Sequence, residues 1–225
     1  MNEEKLVHVV GVEPEGPQPE LPPLADLLSR CAILCGGRRH IEALSVRLPA
    51  GARILPITTN IREVVSTLTE FIKKPEGKIA VVLGSGDPLY HGIGGSLSRA
   101  IDRRYIAYYP ATTLVQRAFS LLGEPWEDVR VGSIHGKKED PLLSTGRWIF
   151  YTGGSSGPAN LIEMADRQGF QIVEMTVLEE IGLPGQKVTF FRSPDLEEVR
   201  SRDFLTLNMV VMTVQPKNKD KDPVK

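Results

Sequence analysis

The first half of the chain alternates short apolar runs with segments whose apolar residues recur every three or four positions. The short runs predict strands, and the periodic segments predict helices between most of them. In the segment 61–72 the apolar residues form one helical stripe, with Thr59 or Asn60 as the predicted N-cap. The predicted strands are 6–10, 32–35, 53–57, 79–83 and 105–109. Such alternation predicts an α/β fold with a mainly parallel, doubly wound sheet.

After residue 109 the strand-like runs follow one another with fewer helices between them. Strands are predicted at 129–134, 148–152, 172–177, 187–191 and 205–214, and helices at 112–122, 158–168 and 194–201. This order predicts a second α/β domain with a mixed sheet. We therefore expect one domain over 1–110, another over 111–215, and a disordered tail over 216–225, which is charged and poor in large apolar residues.

Composition narrows the functional classes. The 225 residues carry a formal net charge of -1, which gives no electrostatic footprint for nucleic acid. No apolar run approaches the roughly 20 residues of a membrane span, and the acidic start is unlike a secretory signal. We expect a cytoplasmic protein with neither a membrane nor a nucleic acid as partner. Cys31 and Cys35 lie in or beside an apolar run, so packing in a strand is favoured over a disulfide or a metal site.

The segment GSGDPLYHGIG, residues 84–94, follows a predicted buried strand. Glycines in such a turn let the backbone approach a ligand closely, and ligands of parallel sheets bind at the carboxyl ends of strands. The dinucleotide fingerprint fails in both registers, because Leu89 and Leu97 stand where glycine is required. The chain also lacks the Gly-Lys-Ser/Thr ending of a phosphate loop. The pattern therefore predicts a ligand-binding turn that is not specialised for nucleotide phosphates.

This segment and YPATTLVQRAFSLLGEPW, residues 109–126, resemble the tetrapyrrole methylases of cobalamin (vitamin B12) biosynthesis. CGGRRH at 35–40, LGEPW with SIHG at 133–136, and LTLNMV at 205–210 are most similar to one branch, the precorrin-6Y methylases or cobalt-precorrin-7 (C5)-methyltransferases. The resemblance implies two α/β domains with S-adenosylmethionine in the cleft between them, and a homodimer. It also implies methylation of carbon 5 of a precorrin or cobalt-precorrin.

The resemblance further implies which residues contact the cofactor. They are Gly86, Asp87, Leu89, Gly92 and Ile93 from the glycine-rich segment, Thr112 and Thr113 from the hinge helix, and Asn208 near the final strand. Asp87 could instead bond its own backbone as a turn residue, and the threonines could instead cap a helix. Because the cofactor supplies the reactivity, the protein needs no nucleophile and mainly orients the reactants. His91 is the candidate proton shuttle, with a structural role as its alternative.

Arg38, Arg39 and His40 follow a Gly-Gly strand exit, where they could bind the carboxylates of a tetrapyrrole or simply open a solvated helix. One departure from the family lies in GVEPEG, residues 11–16, where Glu13 replaces an expected glycine. Glu13 joins Arg38, Arg39 and His40 as a candidate substrate-binding residue. A carboxylate there would repel a polycarboxylate substrate unless it is protonated or paired. Glu13 therefore leaves open two alternatives: a catalytically silent tetrapyrrole- or cofactor-binding subunit, or a methylase of the same fold with another substrate.

Two further expectations concern partners and metals. In the branch resembled, a second methylase domain methylates carbon 15 with decarboxylation, either fused or as a separate chain. Because the resemblance covers only the first domain, we expect a separate decarboxylating partner enzyme. The four histidines are scattered and lack the spacing of metal ligands, so no protein-bound catalytic metal is expected.

Overall fold

The computed structural model describes residues 4–44, 48, 50–134, 140–153 and 156–217. The chain divides into two compact units, Met1–Leu114 and Val115–Lys225, here called unit 1 and unit 2. Each unit carries one five-stranded sheet with helices, which confirms the predicted pair of α/β domains. The predicted boundary at 110/111 stays a prediction. His135 and Gly136 of the SIHG motif lie outside the described residues.

Unit 1 contains an entirely parallel sheet. Its strands are β1 Val7–Val12, β2 Cys31–Gly36, β3 Arg53–Pro56, β4 Ile79–Ser85 and β5 Ile106–Tyr109. Their order is β3-β2-β4-β1-β5, and each neighbouring pair is parallel. The central strand β4 is buried from Ile79 to Leu83, as expected when helices cover both faces of a parallel sheet. The predicted parallel sheet is confirmed.

The helices of unit 1 pack on opposite faces of this sheet. They are α1 Leu24–Leu28, α2 Arg38–Leu44, α3 Ile61–Lys73 and α4 Gly94–Ala100. Val7 and Val9 pack with residues of α3 and α4, whereas Val10 and Val12 pack with residues of α1 and α2. This division follows from the alternation of side chains along β1. Helix α1 was not predicted, because five residues are too few to show a helical period.

Unit 2 contains a mixed sheet. Its strands are β6 Arg130–Ser133, β7 Gly146–Tyr151, β8 Phe170–Glu179, β9 Lys187–Arg192 and β10 Asn208–Pro216. The order is β6-β7-β10-β8-β9, with β6 parallel to β7 and the other three pairs antiparallel. The helices are α5 Leu114–Leu122, α6 Pro158–Arg167 and α7 Leu196–Ser201. The predicted mixed sheet is confirmed.

Two local expectations can be compared with the structure. Cys31 and Cys35 are free and buried in β2, and burial raises the pKa of Cys31 to about 11 and that of Cys35 to about 12. Both thiols are therefore neutral packing residues, as predicted.

At the other end of the chain, the Lys217 N–H donates to the Gly169 carbonyl at 2.9 Å, so the beginning of the predicted tail is ordered. Residues 218–225 lie outside the described residues.

Among the helices that the structure describes, none has both the length and the apolar character required to cross a membrane.

Candidate functional site

Most of the predicted site residues follow the carboxyl ends of strands in unit 1. Strands β1, β2, β4 and β5 are directly followed by segments that carry Glu13, Arg38, Asp87 and Thr112. These four strands are consecutive in the sheet and parallel, so the segments meet along one edge. This edge is the candidate site. Asn208 lies apart from it in the sequence, at the start of β10 in unit 2.

Three of these loops are joined by backbone contacts around Gly11. The Gly86 N–H donates to the Val12 carbonyl at 2.9 Å, and the Ala111 N–H donates to the Gly86 carbonyl at 3.3 Å. A Cβ atom on Gly11 would lie 2.2 Å from the Gly86 oxygen and 2.4 Å from the Ala111 nitrogen. Only glycine fits there. Gly11 was not among the predicted site residues, although its place at the end of a largely apolar run was an available signal.

Asp87 stabilises the turn in which it lies. Its Oδ1 accepts a hydrogen bond from the Leu89 N–H at 2.9 Å, an arrangement typical of turn aspartates. Gly86 has a φ of +62°, which favours glycine, and a Cβ there would lie 3.3 Å from the Thr112 oxygen and the Thr113 Cα. One carboxylate oxygen of Asp87 therefore bonds its own turn, which was the alternative to cofactor binding. The glycine-rich loop also packs directly on the segment that contains Thr112 and Thr113.

The second part of the glycine-rich loop folds around one carbonyl group. The Gly94 N–H donates to the Pro88 oxygen at 2.9 Å. A Cβ on Gly92 or Gly94 would lie 2.6 or 2.5 Å from that same oxygen. Ile93 is half-buried and packs against the core of unit 1. The glycines and Ile93 therefore have a demonstrable role in the fold of the loop itself.

The crest of this loop exposes three side chains in a row. Leu89 is 52% exposed and Tyr90 37%, although both are large and largely apolar. His91 is exposed with a φ of +56°, and its ring lies 5.0 Å from that of Tyr90 in an edge-to-face arrangement. A left-handed conformation is costly for a residue other than glycine and tends to occur at functional sites. The crest offers an apolar and aromatic surface to a ligand.

Glu13 is paired with the backbone of a distant segment. Its Oε1 accepts a hydrogen bond from the Thr112 N–H at 3.0 Å, across 99 residues of sequence. Thr112 is exposed and Thr113 is half-buried, immediately before α5 begins at Leu114. This bond stabilises the charged form of the carboxylate, whose negative charge stays in place. It also occupies the Thr112 N–H, which leaves the hydroxyl as the donor of this residue.

The structure separates the predicted trio Arg38, Arg39 and His40. Both arginines are exposed in the first turn of α2, whereas His40 is only 5% exposed. The Arg39 Nη2 lies 3.4 Å from the His40 Nε2, and the buried Nδ1 of His40 has no hydrogen-bond partner. Burial, followed by the charge of Arg39, lowers the pKa of His40. The arginines can reach a ligand, while His40 is a neutral interior side chain beside them.

The state of His40 predicts a pH dependence of stability. Its pKa in the folded protein lies below the ordinary value of 6.5, so the unfolded chain binds the proton more tightly. The stability that His40 contributes is present above pH 6.5 and is lost as the pH falls through the folded pKa. We expect the free energy of unfolding to fall more steeply between about pH 7.5 and pH 5.5 in the wild type than in His40→Gln. His91→Gln, at an exposed position, is the control; equal slopes in wild type and His40→Gln would contradict the expectation.

Asn208 uses both ends of its amide inside unit 2. Its Nδ2 donates to the Leu205 carbonyl at 2.5 Å, and its Oδ1 accepts from the Thr152 hydroxyl. The single Thr152 hydroxyl hydrogen is shared with the Asn208 carbonyl, whose oxygen lies 2.9 Å from Oγ1. The side chain is 8% exposed, so these bonds satisfy a buried polar group. Within unit 2 the geometry of Asn208 is that of a structural residue.

Among the described residues, no three His, Cys, Asp or Glu side chains lie close enough together to hold a metal ion.

Comparison with known proteins identifies the class to which this fold and sheet edge belong. Residues 8–197 match the family profile of the Tetrapyrrole (Corrin/Porphyrin) Methylases. The chain belongs to this family, which confirms the resemblance found in the sequence.

Relatives within the family are more specific. A precorrin-6Y C(5,15)-methyltransferase [decarboxylating] from Sinorhizobium sp is 32% identical over 169 residues, covering 72% of this chain and 39% of the relative. A cobalt-precorrin-7 C(5)-methyltransferase from Salmonella typhimurium is 24% identical over 186 residues, covering 81% of this chain and 89% of the relative. The matches to precorrin-6Y relatives thus span less than half the length of those relatives.

Solved structures show the same fold. The uroporphyrin-III C-methyl transferase from Thermus thermophilus complexed with S-adenyl homocysteine has a TM-score of 0.70 at 17% identity, covering 92% of this chain and 97% of that one. The precorrin-6Y methylase from Archaeoglobus fulgidus has a TM-score of 0.62 at 18% identity, covering 93% of this chain and 97% of that one. At such low identities these neighbours establish architecture alone.

Proposed function

We propose that this chain is an S-adenosylmethionine-dependent methyltransferase that methylates carbon 5 of a precorrin or cobalt-precorrin in cobalamin biosynthesis. The observation that carries the proposal is the sheet edge formed by the loops after β1, β4 and β5 in a chain of the tetrapyrrole methylase family. The choice of carbon 5 as the methylated position is supported by the names of the precorrin-6Y and cobalt-precorrin-7 relatives, both of which specify carbon 5.

The groups at this edge are suited to S-adenosylmethionine. Asp87 provides a carboxylate, the Thr112 hydroxyl is a hydrogen-bonding group, and Leu89 offers an exposed apolar side chain. When bound, the cofactor supplies an electrophilic methyl group on a sulfonium centre. The residues proposed to hold it are Gly86, Asp87, Leu89, Gly92, Ile93, Thr112 and Thr113, with Asn208 as the weakest of the set. Their task is to orient the ligand, since correct orientation can supply on the order of 7–11 kcal/mol of a barrier.

The substrate would be recognised through its carboxylates. Arg38 and Arg39 are exposed at the same sheet edge, and a guanidinium group binds a carboxylate through two parallel hydrogen bonds. His40 is buried and neutral beside Arg39, so its part is to support the arginine. His91, exposed at the crest of the glycine-rich loop, is the side chain that we propose for proton transfer.

The remaining partners are predictions. One of them is a separate enzyme that methylates carbon 15 with decarboxylation. A homodimer and a cytoplasmic location stay predictions. Incubation with methyl-labelled S-adenosylmethionine and individual precorrins, followed by NMR of the product, would test the ring position. Label at a carbon other than 5 would contradict the proposal.

Binding of the cofactor provides a direct test with Asp87. Asp87→Asn retains an oxygen that can accept the Leu89 N–H but removes the charge, so we expect the loop to persist and S-adenosylmethionine to bind about tenfold more weakly. Asp87→Ala also removes the turn bond and is expected to weaken binding further. Calorimetric titration with S-adenosylmethionine and S-adenosylhomocysteine measures both effects.

The matched control is Asp102→Ala. Asp102 Oδ1 accepts the Arg104 N–H at 2.9 Å, the same local bond in a different turn. This variant is expected to bind as tightly as the wild type. Wild-type affinity in Asp87→Asn would show that the charge does not bind the cofactor. If the wild type binds neither ligand, the methyltransferase is rejected in favour of a catalytically silent subunit.

A further inference from the structure

The backbone of Glu13 is held by a tight turn that does not depend on its side chain. The Gly16 N–H donates to the Glu13 carbonyl at 2.9 Å, and the two residues form an antiparallel bridge. Pro14 between them is buried, and Gly16 has a φ of +116°, which favours glycine. The turn therefore fixes the backbone position from which the Glu13 side chain extends.

From this position the carboxylate contacts the segment that follows β5. The bond from the Thr112 N–H to the Glu13 Oε1 is 3.0 Å long and joins a neutral donor to a charged acceptor. Hydrogen bonds to a charged group contribute more than neutral ones. The preceding amide, that of Ala111, donates instead to Gly86 at the longer distance of 3.3 Å. Successive amides of the segment 111–113 are thus tied to two different loops, and the shorter bond is the one made by Glu13.

The tied segment lies directly against the glycine-rich turn. A Cβ on Gly86 would meet the Thr112 oxygen and the Thr113 Cα at 3.3 Å, so the two backbones are in close contact. A displacement of Thr112 would therefore change the surface that Asp87 and the threonines share. Removal of the carboxylate would remove the shorter of the two hydrogen bonds described above.

We propose that Glu13 is a positioning residue, whose carboxylate fixes the segment 111–113 in the conformation that receives the cofactor. This inference rests on the proposed function, since it assigns that segment to the cofactor. It also replaces direct substrate contact as the role of Glu13, because the described carboxylate bond is to the protein's own backbone. The residue that raised the possibility of a silent subunit becomes a part of the binding site.

The experiment compares Glu13→Ala and Glu13→Gln with the wild type in two measurements. Amide hydrogen exchange at Thr112, followed by NMR, reports the bond itself, and calorimetric titration with S-adenosylhomocysteine reports its consequence. In Glu13→Ala we expect exchange at Thr112 to be about tenfold faster and the affinity to be at least about fivefold weaker. Glu13→Gln keeps a neutral acceptor oxygen and is expected to give values between those of Glu13→Ala and the wild type in both measurements.

Glu15→Ala is the matched control, because it removes the same charge from an exposed position of the same turn. It should behave as the wild type, and an equal loss there would overturn the positioning role in favour of a general charge effect. Unchanged Thr112 exchange in Glu13→Ala would also overturn it, as would faster exchange with unchanged affinity. Absence of binding by the wild type would instead overturn the proposed function, while the exchange data would still report the Glu13 bond.

Discussion

Gly11→Ala is expected to destabilise unit 1 by about 3 kcal/mol, because the added methyl group has no room on either side. It would lie 2.2 Å from the Gly86 oxygen and 2.4 Å from the Ala111 nitrogen, and both neighbours are backbone atoms. A flexible side chain could rotate away, but these atoms can move only if the loops after β4 and β5 separate. The substitution should therefore damage the candidate site together with the fold.

Denaturant unfolding followed by far-UV circular dichroism measures the loss of stability in Gly11→Ala. Gly37→Ala is the matched control: Gly37 directly follows β2 of the same sheet, and its added Cβ would have nothing within 4 Å. We expect Gly37→Ala to change the unfolding free energy by less than about 0.5 kcal/mol. If Gly11→Ala were equally mild, the close packing of the three loops would be refuted.

Phe150→Ala is expected to destabilise unit 2 by about 4 kcal/mol. Phe150 is completely buried in β7 and belongs to the core that α6 and the inner face of the sheet form together. Truncation removes the transfer free energy of the ring and leaves a cavity that the surrounding strands cannot fill. Phe190→Ala, which removes the same ring from a position that is 69% exposed, is the matched control and should cost less than about 0.5 kcal/mol.

Gly132 provides a second measurement of the same packing. It pairs with Phe150 across β6 and β7, and a Cβ there would lie 2.3 Å from the Phe150 ring. Gly132→Ala should cost about 2 kcal/mol alone and less in a Phe150→Leu background. Tryptophan fluorescence is suited to both experiments, because Trp126 and Trp148, the two tryptophans of the chain, lie in unit 2. Additive effects of the two substitutions would show that Gly132 does not accommodate the ring.

The regular elements were predictable because their signals are local. The apolar run 79–83 became the central strand β4, and the periodic segment 61–72 became α3. Both depend on the alternation or helical repetition of apolar residues, which is written in consecutive positions. The five-residue helix α1 gave no such signal. The type of sheet in each domain was also predictable from the spacing of the strands. Strands separated by helices favour a parallel sheet, and closely spaced strands favour an antiparallel one.

The sequence by itself determined the two α/β folds, the family, and the glycine-rich turn at a strand end. Only the tertiary structure decided which loops meet that turn. It brought Gly11 close to Gly86 and Ala111, and it joined Glu13 to Thr112 across 99 residues of sequence. It also buried His40 in the interior and hydrogen-bonded the Asn208 amide to residues of unit 2. These outcomes depend on the order of strands in each sheet, which is fixed by packing between distant segments, whereas apolar periodicity reports only which face of an element is buried.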